Sequence, residues 1–475
     1  MKQTLKTILS CLLVLTMLFT VAACDESTDT GTETNKGTES TDANANNDFF
    51  TDTEVVNSDE ETTNDKGNGN SGSAVVPNEN KVGGKSWKDV LAGMPKKLRG
   101  TKVVLYNWNP AAEYTGAPAV LEQFTKETGI KVEWMRVNYS EYVTKLAALV
   151  ASKESPDTVR TRLPVPERLD QFQSLDAAKF DFTDAAWDQQ TMKDYTVNGV
   201  TYATSLKNTH LGSVCMMFYN KAQIQKYDME DPYTLWKNGK WNMDKFLEMC
   251  KAYVKASGNQ VACTGMDIEE WLQMHGLDAN FAYKNGKFVS LMGDAKLLTL
   301  TQQYCDYYNT NKIFNRGQAE IMDDSAALFY SGASVYARKK NSYFGNLKSE
   351  GVLYMVPMPG VTGQKYYNLR DEYEAYAIPR GAKNPEAVPY LLRYFLDGSN
   401  YDLDTFFCNK QNLEVYNWCM AQENNIWSNG WVEPDIDTGI YKKTANQVKP
   451  YLDSINPTVE TYIKELNAAM GKLGK

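Results

Sequence analysis

Histidine is nearly absent: only His210 and His275 occur in 475 residues. With it go the usual parts of nucleophilic and zinc catalysis, since no HExxH helix, GxSxG elbow or cysteine–histidine signature is present. The chain has no P-loop, and its last 390 residues contain no GxGxxG turn. Asp and Glu are plentiful, but no local motif sets two of them apart for glycosidic chemistry. Cysteine is sparse and unpatterned. Six lie in this body, at Cys215, Cys250, Cys263, Cys305, Cys408 and Cys419, without a CxxC pair or zinc-ligand spacing. Disulfides and buried free thiols both fit that pattern. No metal or cofactor is expected.

Long apolar runs are lacking too, except at the start. Lys2 and Lys6 precede an apolar stretch from Ile8 to Ala23, which is short for a membrane crossing. Basic residues ahead of it and small residues at its end give it the form of a secretory signal over residues 1–23. Val21-Ala22-Ala23-Cys24 resembles a lipobox, whose cysteine becomes the acylated N-terminus. Acyl chains such as palmitate on Cys24 would anchor the mature chain to the outer face of the cell membrane. The plainer alternative is a signal peptide followed by an incidental cysteine.

Core-forming residues are missing from the next sixty positions. Residues 25–85 carry 14 Asp/Glu against 4 Lys/Arg, with Phe49 and Phe50 as their only aromatics. Such a segment buries too little to offset its ordering entropy, so residues 24–85 are expected to form a disordered acidic linker. It holds a net −10 and the two signal lysines +2, so the total of −9 leaves about −1 for residues 86–475. A nearly neutral body gives no reason to expect nucleic acid as a partner.

What is present in the body alternates strands and helices. "KVVLYNW" (102–108) has the apolar, β-branched character of a strand buried on both faces. Val120, Leu121 and Phe124 then make a helical stripe that stops at Gly129. "IKVEWM" is a second strand, Ser140 caps a helix carrying Tyr142, Leu146 and Leu149, and "PDTVRTR" is a third strand. This rhythm predicts an α/β unit with a largely parallel sheet. "GSVCMMFYNK" opens a second unit, and Asn242 caps a helix that ends at Gly258. Later, Asn384 and Pro385 start another helix, with Gly398 past its end.

Several of these segments occur in an order and spacing that resemble one family. They are "VLEQFTKETGIKVEW", "LAALVASKESPDTV", "MMFYNKAQI", "DPYTLWKNGKWNMDKFLEM", "ALFYSGASVYA", "YMVPMPG" and "EAYAIPRGAKNPEAV". The family is that of the family 1 extracellular solute-binding proteins, the maltose-binding-like receptors of bacterial ABC importers. The resemblance implies a type II periplasmic-binding-protein-like fold, with discontinuous lobes joined by hinge crossovers around a ligand cleft. By analogy one lobe holds 86–204 and 336–366, and the other holds 205–335 and 367–475. It also implies a monomer that binds a small solute, an oligosaccharide first, and delivers it to ABC transporter permease subunits. A sensor of the same fold feeding a kinase, an adhesin and an exported glycan-active enzyme are the alternatives.

Sugars are held by flat aromatic faces and planar donors and acceptors. The resemblance and the strand ends nominate Trp108 and Asn109 after the first strand, and Arg160 and Arg162 at the exit of the third. They also nominate Asn208 and His210 before the "MMFYNK" strand. Trp271, in "DIEEWLQMHG", matches the position of a sugar-stacking tryptophan and is the first choice. Arg370 and Glu372 precede "AYAIP", and Trp427 and Trp431 lie in "NNIWSNGWVEPD". Arginines at 160, 162, 338 and 370 depart from the family pattern and hint at an acidic ligand such as a uronate.

Overall fold

The computed structural model describes residues 55–57 and 84–473. It omits breaks at 112–115, 162–168, 208, 210–212, 259–260, 278–279, 285–286, 318, 371–374, 403–404, 423–424 and 428–436. Cys24, Arg162, Asn208, His210, Glu372 and Trp431 lie outside the described residues. So does the side chain of Trp427.

Two sheets organise the body. The first runs Val55–Asn57, Lys131–Arg136, Lys102–Asn107, Thr158–Arg160, Tyr376–Ala377, Ala203–Thr204. Its strands 102–107, 131–136 and 158–160 are parallel, as the sequence predicts. Val103 and Leu105 are fully buried. Helix Ala117–Thr128 packs Val120, Leu121 and Phe124 inward. It ends at Gly129 in the left-handed region, φ 72°, whose N–H donates to the Thr125 carbonyl.

The second sheet runs Phe314–Asn315, Cys263–Thr264, Phe329–Ala333, Cys215–Asn220, Leu353–Pro357. Helix Met243–Ala256 covers it with Phe246, Met249, Cys250 and Tyr253, and the Asn242 side chain accepts from the Lys245 N–H as the cap. All six body cysteines are free thiols.

Four details differ from what the sequence pattern predicts. Val55–Asn57, within the segment expected to lack structure, pairs antiparallel with Glu133–Met135 and extends the first sheet. An edge strand leaves unpaired backbone groups, and a short β-branched piece satisfies them despite its acidic surroundings. Strand Leu353–Pro357 pairs with Cys215–Asn220 and so lies in the second sheet. Tyr376–Ala377 pairs with Thr158–Arg160 and Ala203–Thr204 in the first sheet. Ladder hydrogen bonds decide membership here, which sequence spacing cannot. Finally, neither Ser140 nor Asn384 caps a helix through its side chain. Tyr139–Glu141 and Pro385–Ala387 are single 3-10 turns that lead into helices Tyr142–Ser152 and Val388–Phe395.

Three segments are knit together between the sheets. The Ser334 N–H donates to the Val214 carbonyl at 2.8 Å, Thr209 bridges Asp397, and Arg338 bridges Phe407. Segment 397–409 leads from helix Val388–Phe395, packed on Ala117–Thr128, to helix Lys410–Met420, packed on Leu353–Pro357. Beside this seam the Lys348 ammonium donates to the carbonyls of Arg338 at 2.9 Å and Asn341 at 3.0 Å. Burial lowers its pKa to about 8.

In the unfolded chain Lys348 returns to the usual lysine value. Between pH 8 and 10 the unfolded state therefore binds more protons, and this group makes stability rise with pH. Chemical unfolding of wild type and Lys348→Met across that window should show the difference moving in favour of wild type. A pH-independent difference would contradict the assignment.

Candidate functional site

In the first sheet the chain leaves strand Lys102–Asn107, adds Lys131–Arg136 on one side, then Thr158–Arg160 on the other. Such a switch point opens a crevice outside the carboxyl ends of the strands, where open α/β sheets place ligands. Trp108 and Asn109 leave one of those ends, and Arg160 and Thr161 the other.

The loop is turned by its own side chains. The buried Asn107 carboxamide oxygen accepts the Asn109 N–H at 3.1 Å, and the Asn109 carbonyl accepts the Trp134 indole N–H at 2.9 Å. This holds Trp108 against Tyr142, ring centroids 4.9 Å apart at 87°, and Tyr139 at 5.7 Å and 77°. Edge-to-face packing of this kind fixes ring orientation. The Arg160 guanidinium lies 4.4 Å from the indole centroid, a cation–π contact with a side chain only 2% exposed.

Tyr142 donates its hydroxyl to the Arg160 carbonyl at 2.7 Å, tying the helix to the strand exit. Thr161 donates its N–H to the Ala375 carbonyl at 2.7 Å, and its hydroxyl meets the Tyr195 hydroxyl at 2.7 Å. Burial raises the pKa of both Tyr106 and Tyr195, so these phenols stay neutral donors. The result is a rigid aromatic and cationic wall, with Asn109 and Tyr139 half-buried at its rim.

The corresponding end of the second sheet carries polar side chains that the sequence did not single out. Arg316 Nε donates to Asp267 Oδ1 at 3.3 Å, and the Tyr441 hydroxyl donates to the same oxygen at 3.2 Å. Arg316 also lies 4.5 Å from the Tyr441 ring centroid. Ser331 donates to Glu270 Oε2 at 2.6 Å. At Gly265 φ is 73°, and a Cβ there would stand 2.6 Å from the Ser331 carbonyl and the Tyr330 ring, so only glycine fits this approach.

Trp271 is not with them. It is 2% exposed, and its indole N–H donates to the Leu300 carbonyl at 3.0 Å. His275, Tyr307 and Phe314 surround the ring, 4.5, 5.6 and 5.8 Å away. Helix Ile268–Met274 turns that face toward helix Ala295–Cys305 and Phe314, so the ring is enclosed where a stacking platform was expected. His275 is likewise buried, its Nδ1 2.7 Å from the Trp271 carbonyl, and burial holds its pKa below the ordinary value. Arg370 Nη1 donates to the Met420 sulfur at 2.6 Å, at the end of helix Lys410–Met420. Among the described residues no cluster of His, Cys, Asp and Glu has the makings of a metal site.

A profile of the bacterial extracellular solute-binding proteins matches residues 119–402, well over half of the chain. The chain belongs to that family. Its two sheet-centred units accord with the two-lobed α/β fold expected from the resemblance.

No curated protein matches it by sequence. Among solved structures it is similar to the GacH receptor of Streptomyces glaucescens, studied unliganded and with acarbose. The two share 15% identity and a TM-score of 0.55, over 78% of this chain and 99% of that one. It is similar also to the cyclic α-maltosyl-1,6-maltose binding protein of Arthrobacter globiformis. There the identity is 14% and the TM-score 0.54, over 78% of this chain and 99% of that one. A structure described as a de novo designed esterase aligns comparably, with 14% identity, TM-score 0.56, and 78% and 100% coverage. At such identities these likenesses concern the fold alone. No described helix is long and apolar enough to cross a membrane.

Proposed function

We propose that this solute-binding protein captures an oligosaccharide between its two lobes and delivers it, chemically unchanged, to the permease of an ABC importer. The observation that carries the reading is the Trp108–Arg160 wall at the switch point of the first sheet. An indole fixed by tyrosines, beside planar donors and acceptors, suits the C–H faces and hydroxyl rim of a sugar. The sugars named with the GacH receptor and the Arthrobacter protein favour that ligand class for this fold. On this reading Trp108, Asn109 and Arg160 contact the ligand from one lobe, and Asp267, Glu270, Arg316 and Tyr441 from the other. Arg162, Asn208, His210, Glu372, Trp427 and Trp431 are retained as further candidates.

The lobes follow the sheets, with crossovers at 205–214, 358–375 and 397–409. Cys24, lipidated after signal cleavage, anchors a monomer at the outer face of the cell membrane on the acidic segment that follows. The body binds without turnover, because its sequence carries no nucleophile or zinc motif.

A ligand bound only by the folded state raises the melting temperature. In a thermal-shift screen of glycans, at least one oligosaccharide should stabilise the purified protein in a saturable way. Stabilisation by amino acids or peptides alone, with every glycan inert, would overturn the assignment.

A further inference from the structure

Arg338 follows strand Phe329–Ala333 and lies on the seam between the sheets. Its backbone bridges Phe407, and the flanking Ala337 carbonyl accepts the Cys408 N–H at 3.1 Å. The side chain is 6% exposed. Its guanidinium carbon sits 5.4 Å from the Phe406 ring centroid, yet Nε and Nη2 are buried and have no hydrogen-bond acceptor among the described residues. A guanidinium cannot lose its proton to escape this situation. A buried cation whose donors go unmet is costly and calls for an anion.

Position indicates where that anion comes from. Phe406 meets Tyr401 edge-on, centroids 6.0 Å apart, and Tyr401 lies 3.7 Å from where a Cβ would stand at Gly116. Gly116 begins helix Ala117–Thr128, which has no side-chain cap and no acidic residue in its first turn. That helix starts after the loop carrying Trp108, on the carboxyl-end side of the first sheet. Arg338 is thus linked through two rings to the side of the molecule where the sugar wall stands. The Lys348 ammonium, which donates to the Arg338 backbone carbonyl, is spent on backbone carbonyls and adds positive charge to the seam.

We propose that the ligand is an acidic sugar whose carboxylate is held by Nε and Nη2 of Arg338. The inference rests on the oligosaccharide reading and narrows it to uronate-bearing chains. A planar carboxylate accepts two parallel N–H bonds from a guanidinium edge, a geometry that a neutral hydroxyl does not reproduce.

The test compares digalacturonate with neutral galactobiose of the same linkage, titrated into the full chain by calorimetry. The acidic member is expected to bind tighter by roughly tenfold to a hundredfold, the usual range for a charged hydrogen-bonded contact. That preference should vanish in Arg338→Gln and return in part in Arg338→Lys. Should Arg338→Gln not fold, the wild-type preference and its loss with rising salt decide alone. Equal affinity for both disaccharides, or preference for the neutral one, overturns this inference while leaving the oligosaccharide reading intact. Failure of all glycans, neutral and acidic, overturns that reading and this one with it.

Discussion

Trp271→Ala is expected to unfold at lower denaturant than wild type while binding ligand as tightly. The indole is enclosed by His275, Tyr307 and Phe314, and its N–H is satisfied by the Leu300 carbonyl. Truncation leaves a cavity in the second sheet's core and strands that carbonyl. Large aromatic truncations in cores cost on the order of 3–5 kcal/mol. Urea unfolding gives the stability change, and titration below the midpoint gives the affinity. An affinity loss of tenfold or more with unchanged stability would restore Trp271 to the binding site.

The second large effect is expected at Trp108, and it has the opposite emphasis. Trp108→Ala removes the surface that Arg160, Tyr139 and Tyr142 hold in place. Loss of an aromatic platform costs about 1–3 kcal/mol of binding, by analogy with base stacking. Affinity should then fall roughly tenfold to a hundredfold. Stability should fall too, because the ring is mostly buried. Affinity is therefore compared at a temperature where both proteins are fully folded. Trp108→Phe keeps an aromatic face and should recover part of the affinity. If Trp108→Ala binds like wild type, the wall is lobe packing and the site lies elsewhere.

These two tryptophans show what the sequence reveals and where it stops. Strand Lys102–Asn107 and the Gly129 stop are legible because their causes are local: apolar, β-branched residues and a glycine with φ 72°. Both tryptophans adjoin a predicted element boundary, and the sequence cannot tell which of the two faces inward. That depends on Leu300, 29 residues beyond Trp271, and on Tyr142 and Arg160 around Trp108. The polar cluster of the second sheet is less visible still. Asp267 meets Arg316 and Tyr441 across 49 and 174 residues, and neither partner belongs to a motif. Strand membership is hidden for the same reason. Leu353–Pro357 and Tyr376–Ala377 are apolar pieces that could pair in either sheet, and only the ladders assign them.

The central claim is that the protein binds a glycan and leaves it intact. Isothermal titration of an oligosaccharide into the purified protein addresses both halves at once. A saturable isotherm with one glycan per chain and a baseline that returns to zero after saturation is expected. Continuous heat that scales with time would mean turnover, and the absence of binding heat with every glycan at two temperatures would mean that the protein does not bind sugar.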